Sequence, residues 1–276
     1  MVGGVQVGAR HNYELDGLML TFGSLFSGIG GIDLGLQRAG WSCRWQVEND
    51  PFRCSILERH WPDVERHGDI REVDFAKLAP VDLIAGGFPC QPVSGAGKRQ
   101  AQSDERWLWP EFARAIRELR PGFALIENVA GLLDRGFGDV LSDLARSGYD
   151  AEWQLLPAAI VGAPHIRSRL WTVAYAAEGR FRQQAHIEAG APFVFSRRVL
   201  DTVRAEAGGS QHWRAESGLV RMVDGLSNGM GNEIAALGDA VVPQAAEFMG
   251  RVVAGAVRLT TVSSGRAALP AANVQA

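Results

Sequence analysis

The chain has 276 residues, 46% hydrophobic and 21% charged, with a formal net charge of −3 from 28 Lys and Arg against 31 Asp and Glu. That apolar content with so little net charge excludes a natively disordered polymer, and 33 Gly and 12 Pro without a short repeat exclude collagen-like and low-complexity chains. The balance alone gives no encouragement to a nucleic-acid partner, although an average over the chain leaves room for a local basic cleft.

Residues 1–17 lack an apolar core and read as a flexible leader, which makes Met19 a candidate start. Leu18–Phe26 is an apolar, strand-like run ending in the glycine loop Ser27-Gly28-Ile29-Gly30-Gly31, and a helix over Ile32–Ala39 stops at Gly40. A strand over Cys43–Val47 leads to Glu48-Asn49-Asp50-Pro51, where Asp50 as N-cap and Pro51 at the first helical position start a helix reaching His60. Val81–Ala85 is a buried-type strand running into Gly86-Gly87-Phe88-Pro89-Cys90. Helical period over Glu105–Leu119 places Leu108, Phe112, Ile116 and Leu119 on one face. Phe123–Ile126 is a strand before Glu127-Asn128-Val129, followed by a helix over Asp139–Arg146 and strands over Glu152–Leu156 and Leu170–Ala174.

Strands alternating with helices predict an α/β fold, a mostly parallel sheet with helices on both faces and ligands at the carboxyl ends of its strands. The rhythm breaks over Tyr175–Gly218, which is Arg-rich and irregular. It resumes over Ile234–Arg258, with a turn at Gly238 and an apolar helix after Pro243, and Val262–Ala276 is expected to fray. The three cysteines, Cys43, Cys54 and Cys90, contain no C-x-x-C pair, which suits neither a disulfide framework nor a Cys-rich zinc site. That cysteine usage points to a reducing, cytoplasmic compartment, and no apolar run is long enough to span a bilayer.

The polar motifs cluster where such a sheet would bind a ligand. A strand, a glycine turn and a helix let backbone amides approach a ligand closely, at a helix N-terminus. A nicotinamide-dinucleotide fingerprint would need Gly or Ala at position 33, which is Asp33. Glu48 ends the next strand, where a carboxylate can accept hydrogen bonds from both hydroxyls of a ribose. Asp69, in Gly68-Asp69-Ile70, can accept from an adenine amino group while Ile70 packs on the ring, so the three loops suggest a bound adenosine. Cys43 and Cys54 read as buried small hydrophobes. Cys90 sits in a Gly/Pro turn before Ser94-Gly95-Ala96-Gly97-Lys98-Arg99, a loop suited to closing over a polyanion, and a stabilised thiolate there would be a nucleophile. Glu127 can handle protons, and Arg167 and Arg169, two apart, share one face of an extended segment.

These blocks resemble the DNA (cytosine-5)-methyltransferases: Leu25-Phe26-Ser27-Gly28-Ile29-Gly30-Gly31, Val47-Glu48-Asn49-Asp50, Gly68-Asp69-Ile70, Gly87-Phe88-Pro89-Cys90-Gln91, Glu127-Asn128-Val129, Ile166-Arg167-Ser168-Arg169 and, late, Ala236-Leu237-Gly238-Asp239-Ala240-Val241-Val242-Pro243. They occur in the family's order over roughly residues 20–258. The Asp/Asn-Pro-Pro-aromatic loop of amino-methylating enzymes is not found.

The resemblance implies a Rossmann-like S-adenosylmethionine-dependent methyltransferase fold. The catalytic and cofactor-binding domain is expected over residues 18–174, a short target-recognition region over 175–218, a segment returning to the catalytic domain over 219–260 and a tail over 261–276. S-adenosylmethionine would lie against Phe26, Ser27, Gly28, Gly30 and Gly31, with Glu48 and Asn49 at its ribose and Asp69 and Ile70 at its adenine. Leu108 and the Asp239-Ala240-Val241 turn would complete the pocket, Asp239 replacing the family's usual Asn. The implied catalytic group is Pro89, Cys90, Glu127, Asn128, Arg167 and Arg169.

The implied chemistry explains these residue types. Attack of the Cys90 thiolate on carbon 6 of a flipped-out cytosine breaks aromaticity and makes carbon 5 nucleophilic toward the methyl group. Glu127 would meet the charge developing on ring nitrogen 3, Arg167 the base's carbonyl oxygen, and Arg169 would order Glu127 or the Cys90 loop. Gln91, Ser94, Lys98, Arg99, Arg180, Arg182, Arg197, Arg198, Arg204 and Arg214 are the candidate contacts to duplex DNA. No metal is called for, a monomer is expected, and a cognate restriction endonuclease is a candidate partner. Three readings compete: a tRNA cytosine methyltransferase of the same fold, a binding module without turnover (favoured only by Asp239), and a nicotinamide oxidoreductase, which has no use for Cys90 with Glu127.

Overall fold

The computed structural model describes residues 19–89, 107–177, 194–195 and 240–265. In chain order these form β1 (Thr21–Leu25), α1 (Gly31–Arg38), β2 (Ser42–Val47), α2 (Pro51–His60), β3 (Glu65–His67), β4 (Leu83–Gly86), α3 (Trp109–Leu119), β5 (Phe123–Val129), α4 (Phe137–Arg146), β6 (Tyr149–Pro157), β7 (Ser168–Ala176) and α5 (Pro243–Gly265). One sheet of order β3-β2-β1-β4-β5-β7-β6 runs through the molecule. The first five strands are parallel, and β7 lies antiparallel between β5 and β6. This is a Rossmann-like α/β fold.

Strand alternation explains why both faces are covered. Leu83, Ala85, Phe123, Leu125, Trp171 and Val173 pack with Ile32 and Leu36 of α1 and with Ala246, Met249 and Val253 of α5. The intervening residues Ile84, Ala124, Ile126, Leu170 and Ala174 pack with Phe112 and Ile116 of α3 and with Val140 and Leu144 of α4. A sheet buried on both sides needs such near-continuous apolar strands.

α1 and α5 meet closely. A Cβ at Gly35 would stand 2.3 Å from the Pro243 carbonyl oxygen and 2.5 Å from Ala246 Cβ, and Trp41 Nε1 donates to Gly250 O at 3.0 Å. On the outer strand, the Glu152 carboxylate accepts from Tyr175 Oη (3.0 Å), Val194 N (3.0 Å) and Phe195 N (2.9 Å), tying residues 194–195 back onto the sheet.

The α2 start follows its sequence signal: Pro51 opens the helix and Asp50 Oδ1 accepts from Arg53 N at 2.9 Å. Other boundaries differ from expectation. α3 begins at Trp109 rather than Glu105 because Pro110, which lacks an N–H, fits the first turn and would break a helix begun four residues earlier. β3 has no sequence signal, being three polar residues held by pairing with β2. β5 runs on through Glu127-Asn128-Val129. The outer strands also lengthen, β7 to Ala176, past the proposed boundary at 174. The expected fraying from Val262 is corrected as far as Gly265, where α5 ends. The leader at 1–17, the residues beyond 265 and most of 175–239 lie outside the described residues. Among the described residues no helix is long and apolar enough to cross a membrane.

Gly35→Ala is expected to destabilise the protein by about 1–3 kcal/mol, because overpacking against a backbone oxygen outweighs the roughly 1 kcal/mol helix-propensity gain. Urea denaturation followed by circular dichroism checks this, and a more stable variant would contradict the close packing.

Candidate active site

A cleft of about 420 Å³ opens at the carboxyl ends of the parallel strands, within the size range of cofactor sites. Its floor rests on Asp33, in the first turn of α1, whose side chain has no exposure to water. Ser24 Oγ donates to Asp33 Oδ2 at 3.0 Å and Gln46 Nε2 donates to Oδ1 at 2.8 Å. Ser27 Oγ in turn donates to Ser24 Oγ at 2.9 Å, and Arg66 Nη1 donates to Gln46 Oε1 at 3.1 Å. Burial pushes the Asp33 carboxyl up to about 6 against the pull of these donors. Asp33 thus fills the position of the missing third glycine and knits the loop to the two strands beneath it.

The glycine loop is shaped for close approach. Phe26 takes a left-handed backbone (φ 52°) and stacks on Phe112, with centroids 6.5 Å apart. Gly28 N donates to Glu48 Oε2 at 2.7 Å, and Asp50 N donates to Glu48 Oε1 at 2.9 Å. Each oxygen of this buried carboxylate therefore keeps acceptor capacity for a ligand hydroxyl. A Cβ at Gly31 would stand 2.5 Å from the Val241 carbonyl oxygen, so only glycine lets residues 240–241 close that wall.

The next wall is the Asp69–Ile70 turn. Asp69 Oδ1 accepts from Arg71 N (3.0 Å) and Nε (2.9 Å), and Oδ2 from Arg71 Nε (3.1 Å) and Nη2 (2.6 Å). These bonds hold its carboxyl below the usual carboxylate range, and a ligand amino group would share it with Arg71. Ile70 is buried and apolar at the cleft wall, and Leu108, the residue before α3, also lines the cleft.

The far end is acidic and basic at once. Glu127 is 8% exposed and its carboxyl is pushed up to about 7, by burial first, with Arg169 and then Arg167 pulling it back. Arg169 Nε stands 3.0 Å from Glu127 Oε1, yet that oxygen receives no well-aligned hydrogen bond, so the contact is ionic. Antiparallel register puts Trp171 opposite Glu127 and Arg169 opposite Val129, a diagonal pairing on one face. A Cβ at Gly87 would stand 2.8 Å from Glu127 Oε2.

Asn128 is the next residue of β5. Its Nδ2 donates to Phe88 O at 3.0 Å and its Oδ1 accepts from Val129 N at 2.8 Å. Asn128, expected among the catalytic residues, lines the cleft and uses its amide to hold the Phe88-Pro89 loop.

The structure gathers Phe26, Ser27, Gly28, Gly31, Glu48, Asn49, Asp69, Ile70, Pro89, Leu108, Glu127, Asn128, Arg167, Arg169, Ala240 and Val241 around one cleft. Gly30 does not line it: it precedes α1 with φ 83° and packs against Trp61, and Gly30 N donates to Ser27 O at 2.9 Å. Cys90, Gln91, Ser94, Lys98, Arg99, Arg180, Arg182, Arg197, Arg198, Arg204, Arg214 and Asp239 lie outside the described residues. Arg53 lines the cleft from the first turn of α2 and was not foreseen, since only its place three residues after the N-cap marked it. Cys43 and Cys54 are half-buried rather than buried, and burial pushes both thiols up, which makes them poor nucleophiles.

A family model of C-5 cytosine-specific DNA methylase matches residues 20–197. The chain belongs to that family. The methylase relatives include the type II methyltransferase M.NgoMIV of Neisseria gonorrhoeae, 38% identical over 57% of this chain and 52% of that protein. M.AquIA of Picosynechococcus is 36% identical over 54% of this chain and 69% of that one. The methyltransferase EhMeth of Entamoeba histolytica aligns with 69% of this chain and 66% of its own at TM-score 0.48 and 15% identity. The chain spans about half the length of the curated relatives it matches.

The Asp33 carboxyl, raised in the folded state, stabilises the protein fully below its unfolded value of 3.8, and that contribution is lost as pH rises through about 6. Relative to Asp33→Asn, the wild type is expected to lose about 3 kcal/mol between those limits. Urea midpoints across pH 4–8 check it, and parallel curves for the two proteins would contradict the assignment.

Proposed function

We propose that the chain transfers a methyl group from S-adenosylmethionine to carbon 5 of cytosine in duplex DNA. The observation that carries this reading is Glu127, a buried carboxyl raised to about 7 and flanked by Arg169 in the same cleft as the Glu48 carboxylate. The donor set fits the cofactor: Glu48 has acceptor capacity on both oxygens for a ribose diol, Phe26 and Ile70 offer apolar surface to a ring, and Gly31 admits the Val241 backbone that closes the wall. When bound, S-adenosylmethionine supplies an electrophilic methyl group.

The chain's own residues do the rest. Cys90 follows Pro89, which lines the cleft, and its thiolate attacks carbon 6 of the flipped-out base. Glu127, protonated below about pH 7, donates to ring nitrogen 3 as charge develops there. Arg167 binds the base's carbonyl oxygen, and Arg169 holds the Glu127 carboxyl in place. Asn128 fixes the loop that presents Pro89 and Cys90 by bonding Phe88 O. After methylation the carbon 5 proton leaves to a base and the Cys90 sulfur departs, restoring the aromatic ring. We extend the proposal to a monomeric modification enzyme with a cognate restriction endonuclease, the latter in keeping with relatives that are named type II methyltransferases.

Wild type, but not Cys90→Ala, is expected to form a covalent adduct with duplex DNA containing 5-fluorocytosine in the presence of S-adenosylmethionine; identical behaviour of the two would refute the mechanism. Glu127→Ala is expected to lower methyl transfer at least about 100-fold while S-adenosylhomocysteine binding persists. Because the carboxyl acts protonated, wild-type turnover should fall above about pH 7, and a flat profile to alkaline pH would argue against that role. Parallel assays on duplex DNA and tRNA, with bisulfite sequencing of plasmid from an expressing host, decide the substrate.

A further inference from the structure

Arg114 projects from α3 across to the turn that carries Asp69 and Ile70. Its Nη2 donates to Ile70 O at 2.7 Å and its Nη1 to Val73 O at 3.0 Å, spanning more than forty residues of sequence. The guanidinium lies 4.6 Å above the ring of the fully buried Phe75. On its own helix, Glu111 Oε2 accepts from Arg114 Nε at 2.7 Å, with Glu118 more distant at 3.4 Å. One side chain thus donates to two carbonyls of a turn made of short 3-10 segments, and at Ile70 O it adds to the bond from Val73 N at 3.3 Å.

The arrangement bears on the cleft because its two ends are cleft walls. Ile70 and Leu108, the latter just before α3, both line the cleft. We propose that Arg114 is a positioning residue for recognition of the cofactor's base, bracing the Asp69–Val73 turn against α3 so that Asp69 and Ile70 stand at a fixed distance from Leu108. This rests on the reading that the cleft takes S-adenosylmethionine. Arg114 does not line the cleft, so its effect on the ligand passes through Ile70 and Asp69. Arginine suits the task because a planar fork can donate to two carbonyls and to Glu111 while stacking on Phe75; lysine offers a single point charge.

Arg114→Met keeps the length and removes every donor, and Arg114→Lys keeps the charge. Three measurements are made: S-adenosylhomocysteine affinity by calorimetry, steady-state kinetics, and amide exchange of the ligand-free proteins over residues 69–78. Arg114→Met is expected to weaken S-adenosylhomocysteine binding and raise the KM for S-adenosylmethionine by about tenfold or more, with kcat within about threefold. Exchange should quicken over that turn, and Arg114→Lys should recover part of each loss. The preference for S-adenosylhomocysteine over its inosine analogue should narrow in Arg114→Met. Unchanged affinity in a folded Arg114→Met, or equal weakening of both ligands, would overturn the positioning role. A wild type that binds neither ligand would overturn the cofactor reading and the proposal with it.

Discussion

A carboxylate sealed from water in the first turn of α1 governs how the ligand-facing loop is built. An unpartnered buried carboxylate would cost several kcal/mol, so the fold must bring donors to Asp33, and they come from Ser24 on β1 and Gln46 on β2. Ser27 is drawn down onto Ser24, and Arg66 of β3 orients the Gln46 amide from the other side. The N-terminus of α1 adds its own favourable field. With Ser27 turned inward, Phe26 adopts its left-handed conformation and Gly28 presents its N–H to Glu48. The geometry at Glu48 is therefore a consequence of how a charge is accommodated beneath it.

The opposite end of the cleft uses a similar cost differently. Glu127 is also buried, but its compensation is incomplete: Arg169 approaches without aligning a hydrogen bond, and the carboxyl remains easy to protonate near neutral pH. Asp33 carries at least two well-formed bonds and serves the scaffold, whereas Glu127 keeps the capacity that proton chemistry requires. One carboxyl sits in the first turn of α1 and the other near the end of β5, and the completeness of their hydrogen bonding separates their roles.

Much of this was legible from the chain. Asp50-Pro51 announced α2, apolar runs announced the central strands, and the glycine loop, Glu48, Asp69-Ile70, Glu127 and Arg167/Arg169 stood at strand ends, where the structure gathers them around the cleft. The misplaced start of α3 arose from following apolar period past Pro110, whose missing N–H confines it to a first turn. β3 escaped notice because three polar residues become a strand only through pairing with β2. The bond from Asn128 to Phe88 O was not legible, because it joins residues forty apart in the chain.

By itself the sequence determined the α/β alternation, the order of the motifs and the family they resemble, because periodicity, capping and turn chemistry act over a few residues. Tertiary structure alone decided that Asp33 would be a buried keystone, that Arg114 would reach the Ile70 turn, and that residues 240–241 would close against Gly31. Those facts depend on distances between segments far apart in the chain. Such distances are set by packing on both faces of the twisted sheet, which no local pattern encodes.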